Sequence, residues 1–144
     1  MTQLEFFSGM KKLSNYYLRD ITNDQITAWY DMFQKVDYDI FEKAIIEIST
    51  ENNYMPTAGM LYEKCSLVNK SKLCNLIQYM YEDGYFHNGI ERLTDEQASR
   101  NLDKTLSWVE KGIVPEFLII DMESYLHKYN QKELNSEERL QIKG

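Results

Sequence analysis

Between Ile21 and Tyr62 apolar side chains return every three or four residues, and three helix starts fall in the same stretch. A segment patterned in this way has one economical fold, helices that meet on their apolar faces. Thr22 followed at the third position by Gln25 is a capping box, in which the hydroxyl accepts from a first-turn amide and the Gln side chain reaches back. Ile26, Trp29, Phe33 and Val36 then form one stripe, which predicts a helix over 22–36. Asp37 opens a second run with Ile40, Phe41, Ala44, Ile45 and Ile48 at helical spacing, over 38–51. Here Asp37 is read as the cap and Asp39 as the first-turn partner of the helix dipole. Pro56 disfavours a helical Met55 and starts a third helix from Thr57, over 57–68.

The rest of the chain has the same grammar. Leu4, Phe6, Phe7, Met10, Leu13, Tyr16 and Tyr17 predict a helix over 2–17. Leu73, Leu76, Ile77 and Met80 make a narrow stripe that stops at Gly84, a good C-terminal cap. Thr94 and Gln97 repeat the capping box, with Ala98, Leu102, Thr105, Leu106 and Val109 on one face and Gly112 at the far end. Pro115 sits where a first-turn proline belongs, before Leu118, Met122, Tyr125 and Tyr129. With two prolines, six glycines and little β-branched alternation, the expected class is all-α, a bundle of about seven helices in two packed subdomains. The boundaries are residues 1–69, residues 70–129 and a flexible tail over 130–144, where apolar residues thin out amid charge. Lys70-Ser71-Lys72 marks the boundary but contains neither Pro nor Gly, so the flanking helices can also run together as one.

A chain of 144 residues buries roughly 70% of the surface it would expose unfolded, and needs no disulfide to do so. Cys65 and Cys74 are read as small reduced core residues, and with no export signal or long apolar run the expected location is a bacterial host's cytoplasm. The net charge is −7. Six basic side chains face ten acidic ones in residues 1–69, and ten face thirteen beyond, so neither half carries a basic footprint. Affinity for phosphates comes mainly from Lys and Arg releasing counterions, which disfavours direct nucleic-acid binding. Lys11-Lys12 and the Lys70/Lys72 pair read as solvated helix faces.

No constellation for covalent chemistry stands out. Gly84 and Gly89 have the spacing of a phosphate loop, but Ile90 and Glu91 follow where Lys and Ser or Thr would have to reach phosphate and magnesium. His87 and His127 are forty residues apart and lack neighbouring ligands, so no metal and no cofactor are expected. Trp29 and Trp108 read as core anchors. Eleven tyrosines exceed what one small core needs, and exposed aromatic and Met side chains are typical of interface centres. The candidate partner-binding residues are therefore Tyr54, Met55 and Tyr62 around Pro56, Tyr85 and Phe86 after Gly84, and the tail's Leu134, Leu140 and Ile142.

Tyr17, the run Ile21-Thr22-Asn23-Asp24-Gln25-Ile26-Thr27-Ala28-Trp29-Tyr30, Asp37-Tyr38-Asp39, Ala44-Ile45 and Tyr54-Met55-Pro56-Thr57 carry a resemblance. Residues 16–62 resemble the N-terminal domain of the bacteriophage replicative-helicase loader/inhibitor family. The resemblance implies a small acidic helical protein, not an enzyme. Such a protein binds a hexameric replicative helicase or its loader ATPase, holds the helicase inactive, and passes it to an origin-bound initiator. Short members have a C-terminal region that is largely unstructured alone, whereas the stripes over 71–129 here imply an added helical subdomain. The rival expectation is an inhibitor or adaptor of the same fold that targets another host protein, a defence nuclease or a repressor. In either case an apolar, Tyr-rich helical face or the tail from Asn130 would lie in a partner's groove.

Overall fold

The computed structural model describes the backbone of residues 1–89 and 91–143, and side chains as far as Glu133. Among these residues there is no strand. Six α-helices follow in order: α1 (Gln3–Tyr17), α2 (Asn23–Phe33), α3 (Tyr38–Glu51), α4 (Ala58–Glu82), α5 (Asp95–Lys111) and α6 (Glu116–Lys143), with a 3-10 turn at Tyr85–His87. The expected seventh helix is absent because the segments over 57–68 and 73–83 are one helix, α4. Residues 69–72 contain neither Pro nor Gly, so no backbone donor is missing and the hydrogen-bond ladder passes through.

The helix ends explain where the chain turns. Three capping boxes, Thr2/Glu5, Thr22/Gln25 and Thr94/Gln97, open α1, α2 and α5 with both reciprocal hydrogen bonds formed. Thr57 caps α4 by accepting from the Met60 amide at 3.2 Å. Asp37 holds the N-cap position of α3 in extended backbone, but its side chain makes no capping hydrogen bond, which corrects the expected role. What remains there is the favourable charge of Asp39 in the first turn. Helix α2 stops at Phe33, short of Val36. The Met1 ammonium donates to Gln34 O at 2.8 Å and to Val36 O at 3.1 Å, giving those carbonyls partners outside a helical ladder. Gly84 and Gly112, with φ of 87° and 71°, stand at the two turns expected of them.

The chain divides into two compact units, Met1–Asn69 and Lys70–Gly144, each with its own core. The first is centred on the rings of Phe6, Phe33 and Phe41, whose centroids lie 5.3–5.9 Å apart. Gly9 lets α1 approach α3 there, since a Cβ in its place would lie 2.4 Å from Phe41 Cε1. Met10, Leu13, Ala44, Ile45, Ile48 and Leu61 complete the packing, with Trp29 half-buried at its edge. The second core is mainly aliphatic and Met, with Leu76, Ile77, Met80, Val109, Leu118 and Met122 buried and Trp108 half-buried beside them.

Candidate protein-interaction site

In the first unit, residues 62, 65, 66 and 69 share one face of α4 and wall a groove against the α2–α3 connection. Its volume is about 240 Å³, with Lys35, Asp37 and Ile40 among the lining residues. Tyr62 sets one wall. Its ring meets Phe33 edge-on at 5.8 Å, and 44% of the residue remains exposed, so it presents surface while resting on the core. Cys65 is not available as a nucleophile, because burial pushes its thiol up to about 12. This groove can hold a side chain; it has no group placed to react with one.

Pro56, itself buried, separates two different orientations of its neighbours. Met55 packs against the first core, whereas Tyr54 is 65% exposed. Of the three candidates in this unit, Tyr54 and Tyr62 are therefore surface groups and Met55 is mostly a packing group. No described cavity joins Tyr54 to Tyr62.

In the second unit the paired candidates part company in the same way. Phe86 is buried in the core, which corrects its reading as an interface residue: the 3-10 turn points its ring inward, against Tyr81 and Tyr85. Tyr85 is half-buried, and its hydroxyl donates to Asp121 Oδ2. Burial and then the Asp121 carboxylate raise the Tyr85 phenol above its ordinary range, so it stays protonated as the donor. The two residues face a cavity of about 420 Å³ whose lining includes Asn88, Asn101, Lys104 and Trp108. The Lys104 ammonium lies over the Trp108 ring, 5.3 Å from its centroid. Leu134, Leu140 and Ile142 lie outside the residues whose side chains are described.

Several exposed apolar groups were not among the sequence candidates. In the second unit Ile113, Phe117 and Ile120 are each more than half exposed, with Phe117 edge-on to Trp108 at 6.5 Å. A signal was present. Once Leu118, Met122 and Tyr125 are assigned to the core stripe, the 100° step per residue turns Phe117 and Ile120 away from it. In the first unit Leu4, Phe7 and Tyr16 are exposed for the same reason, since Phe6, Met10 and Leu13 take the buried face of α1, and Leu18, the left-handed cap that follows, is exposed as well.

Both imidazoles have structural partners. His87 Nε2 lies 2.8 Å from Asp95 Oδ1, which ties the 3-10 turn to the start of α5, and His127 Nε2 lies 3.2 Å from the Gln131 side chain. Among the described residues no group of three His, Cys, Asp or Glu side chains could hold a metal ion, and no helix is long and apolar enough to cross a membrane.

Residues 1–62 match the family model for the N-terminal domain of the bacteriophage helicase-loader/inhibitor proteins. The resemblance carried by residues 16–62 thus holds over all of α1, α2 and α3 and the first residues of α4. No curated protein matches the chain, and no solved structure does.

Proposed function

We propose that this chain, whose first 62 residues match a helicase-loader/inhibitor domain, is a phage or mobile-element replication protein that acts by binding rather than by catalysis. Its partner is a hexameric replicative helicase or the ATPase that loads it, and binding controls when the helicase is loaded or active. The observation that carries this reading is the family match, which falls within one compact unit and takes in its aromatic core. The exposed groups of that unit, Tyr54, Tyr62, Phe7 and Leu18, are of the kind that anchor protein interfaces. The net charge of −7 supports a protein partner over bare DNA. On this reading the ATP chemistry belongs to the partner, and the protein works by covering a surface the helicase needs.

The test is co-elution of the purified full chain with the host's hexameric helicase, or with its loader, in the presence of ATP. A stable complex that delays or blocks helicase loading is expected; failure to retain either replication ATPase would overturn the reading. One observation favours a second target. The apolar face of Ile113, Phe117 and Ile120 lies outside the matched residues, so an adaptor role toward another host protein, such as a nuclease or a repressor, can reside in the second unit. Capture of such a protein that Phe117→Ser abolishes, with replication untouched, would support it.

A further inference from the structure

The cleft of about 420 Å³ in the second unit changes chemistry along its length. Asn101, Lys104 and Trp108 line it from α5, Phe117 and Asp121 from α6. Asn101 and Trp108 are seven residues apart, so the α5 wall runs about 10 Å from an amide to an indole. On α6, Phe117 precedes Asp121 by one turn and meets the Trp108 ring edge-on at 6.5 Å. The two rings make one end apolar; a turn further on, the carboxylate makes the other polar.

Asp121 is the group in this cleft that lacks a counterpart. It is half-buried, and its Oδ2 accepts from the Tyr85 hydroxyl, which fixes the carboxylate and leaves Oδ1 without a partner among the described residues. No described Lys or Arg forms an ion pair with it, although the Lys104 ammonium lines the same cleft. That ammonium lies over the Trp108 ring instead, so an aromatic wall of the cleft already holds a cation. A carboxylate drawn partly out of water with no base beside it gains most from a cation that arrives with a partner.

The rim and the charges narrow the occupant. Ile113 and Ile120 are exposed beside Phe117, and a small ligand held inside the cleft would leave both in water, which favours a protein surface. The chain carries a net charge of −7, and Lys104 is an exposed side chain on a long stem, whereas Asp121 is short and tied to Tyr85. An incoming anion would meet that fixed carboxylate. An arginine fits on every count. Its three methylenes pass the apolar end, its planar head stacks on ring faces, and its fork of donors reaches Asp121 together with the side-chain carbonyl of Asn88 or Asn101.

We propose that this cleft receives an arginine side chain from an apolar, basic segment of a partner protein. Trp108 and Phe117 pack its stem, Asp121 binds its guanidinium, and Ile113 and Ile120 cover the apolar residues that flank it. The cleft lies outside residues 1–62, so its chemistry does not rest on the helicase reading. The test is a titration of the ¹⁵N-labelled full chain with a capped Leu-Arg-Leu peptide, followed at the Trp108 indole N–H, with Leu-Lys-Leu and Leu-Glu-Leu as controls. Saturable shifts are expected from the arginine peptide, weaker ones from lysine and none from glutamate.

Three variants fix the sign. Asp121→Asn, which keeps an acceptor for Tyr85, is expected to weaken binding about tenfold, the loss of one charge-assisted contact. Phe117→Ser weakens it too, and because Phe117 is 59% exposed the core stays intact. Lys104→Met removes the resident like charge and is expected to tighten binding, the reverse of what an anion site would show. No saturation by about 10 mM arginine peptide, equal binding of the glutamate peptide, or weaker binding in Lys104→Met overturns the proposal. If the helicase co-elutes but the arginine peptide does not bind, the cleft proposal fails and the helicase reading stands. If the peptide binds and no replication ATPase is retained, the helicase reading fails and the cleft stands.

Discussion

The two compact units solve the problem of placing tyrosine in opposite ways. In the first, Tyr17 and Tyr30 are half-buried around an aromatic core and donate to main-chain carbonyls, those of Ile48, Asn52 and Met1. In the second the rings surround an aliphatic core and have charged neighbours: Tyr85 donates to Asp121, burial and then Asp83 and Glu133 raise Tyr125 and Tyr129, and Lys128 and Lys132 lie over Tyr125 and Tyr79. A carbonyl acceptor keeps its character at every pH, whereas a carboxylate or an ammonium does not. Tyr17 and Tyr30 of the first unit thus rest on main-chain carbonyls and Tyr85, Tyr125 and Tyr129 of the second on titratable partners, and the family match falls on the first unit.

The sharpest way to break this comparison is to hollow out the first core. Phe41 is fully buried and touches both Phe6 and Phe33, so Phe41→Ala should cost about 3–5 kcal/mol. If the units are separate folding domains, the transition reported by Trp29 falls while that reported by Trp108 stays, which single-tryptophan variants in urea would show. Coincident loss of both signals would mean that the division is one of contacts only. A gentler probe of the same core is Gly9→Ala. The added methyl meets the Phe41 ring, a rigid group packed on both sides, so a loss of about 1–3 kcal/mol is expected despite alanine's better helix propensity. A gain in melting temperature would show that α1 and α3 can part at little cost.

Alkaline pH tests the contrast directly. Tyr85, Tyr125 and Tyr129 in the second unit have phenols raised chiefly by burial, whereas Tyr17 is the one so raised among the described residues of the first. A raised folded value means that the folded state holds the proton more tightly than the unfolded chain, which releases it near pH 10. The corresponding stability is complete below that pH and is lost as pH climbs through the raised values. With Cys65 replaced by alanine, because its buried thiol in the first unit is also raised to about 12 and costs that unit stability over the same range, the second unit should loosen first as pH rises from about 9 to 12. Trp108 emission should change before Trp29 emission, and the reverse order would refute the assignment.

Much of both cores was legible because helical period sorts side chains without knowledge of their partners. Ile40, Phe41, Ala44, Ile45 and Ile48 are buried as their spacing requires, and so are Ala98, Leu102, Thr105 and Val109. Three kinds of feature were not legible. The continuity of α4 depended on a polar joint that local propensity leaves open in either direction. Asp37 occupies a cap position without making the bond, which is settled by side-chain geometry and not by residue type. The surfaces were the hardest. Phe86 and Phe117 are both rings beside other apolar residues in sequence, yet one is buried and the other exposed, and the difference lies in which way a three-residue turn and a helix start face their core.

The smallest expected effect is a control for the comparison itself. Helices α2 and α5 start with the same device, Thr22/Gln25 and Thr94/Gln97, with the hydroxyl accepting the N3 amide at 3.2 Å in both. Both threonines are exposed, so removing either hydroxyl leaves no buried orphan and makes no cavity. Thr22→Ala and Thr94→Ala should each cost about 1 kcal/mol, and by nearly equal amounts. The supporting charges differ slightly, with Asp24 alone in the first turn of α2 and Asp95 with Glu96 in that of α5. Those acids favour the helix start with or without the hydroxyl, so Thr94→Ala should be the milder of the pair by a few tenths of a kcal/mol at low salt, and indistinguishable when salt screens them. A large inequality that survives salt would place the contrast between the units in their helix ends as well as in their cores.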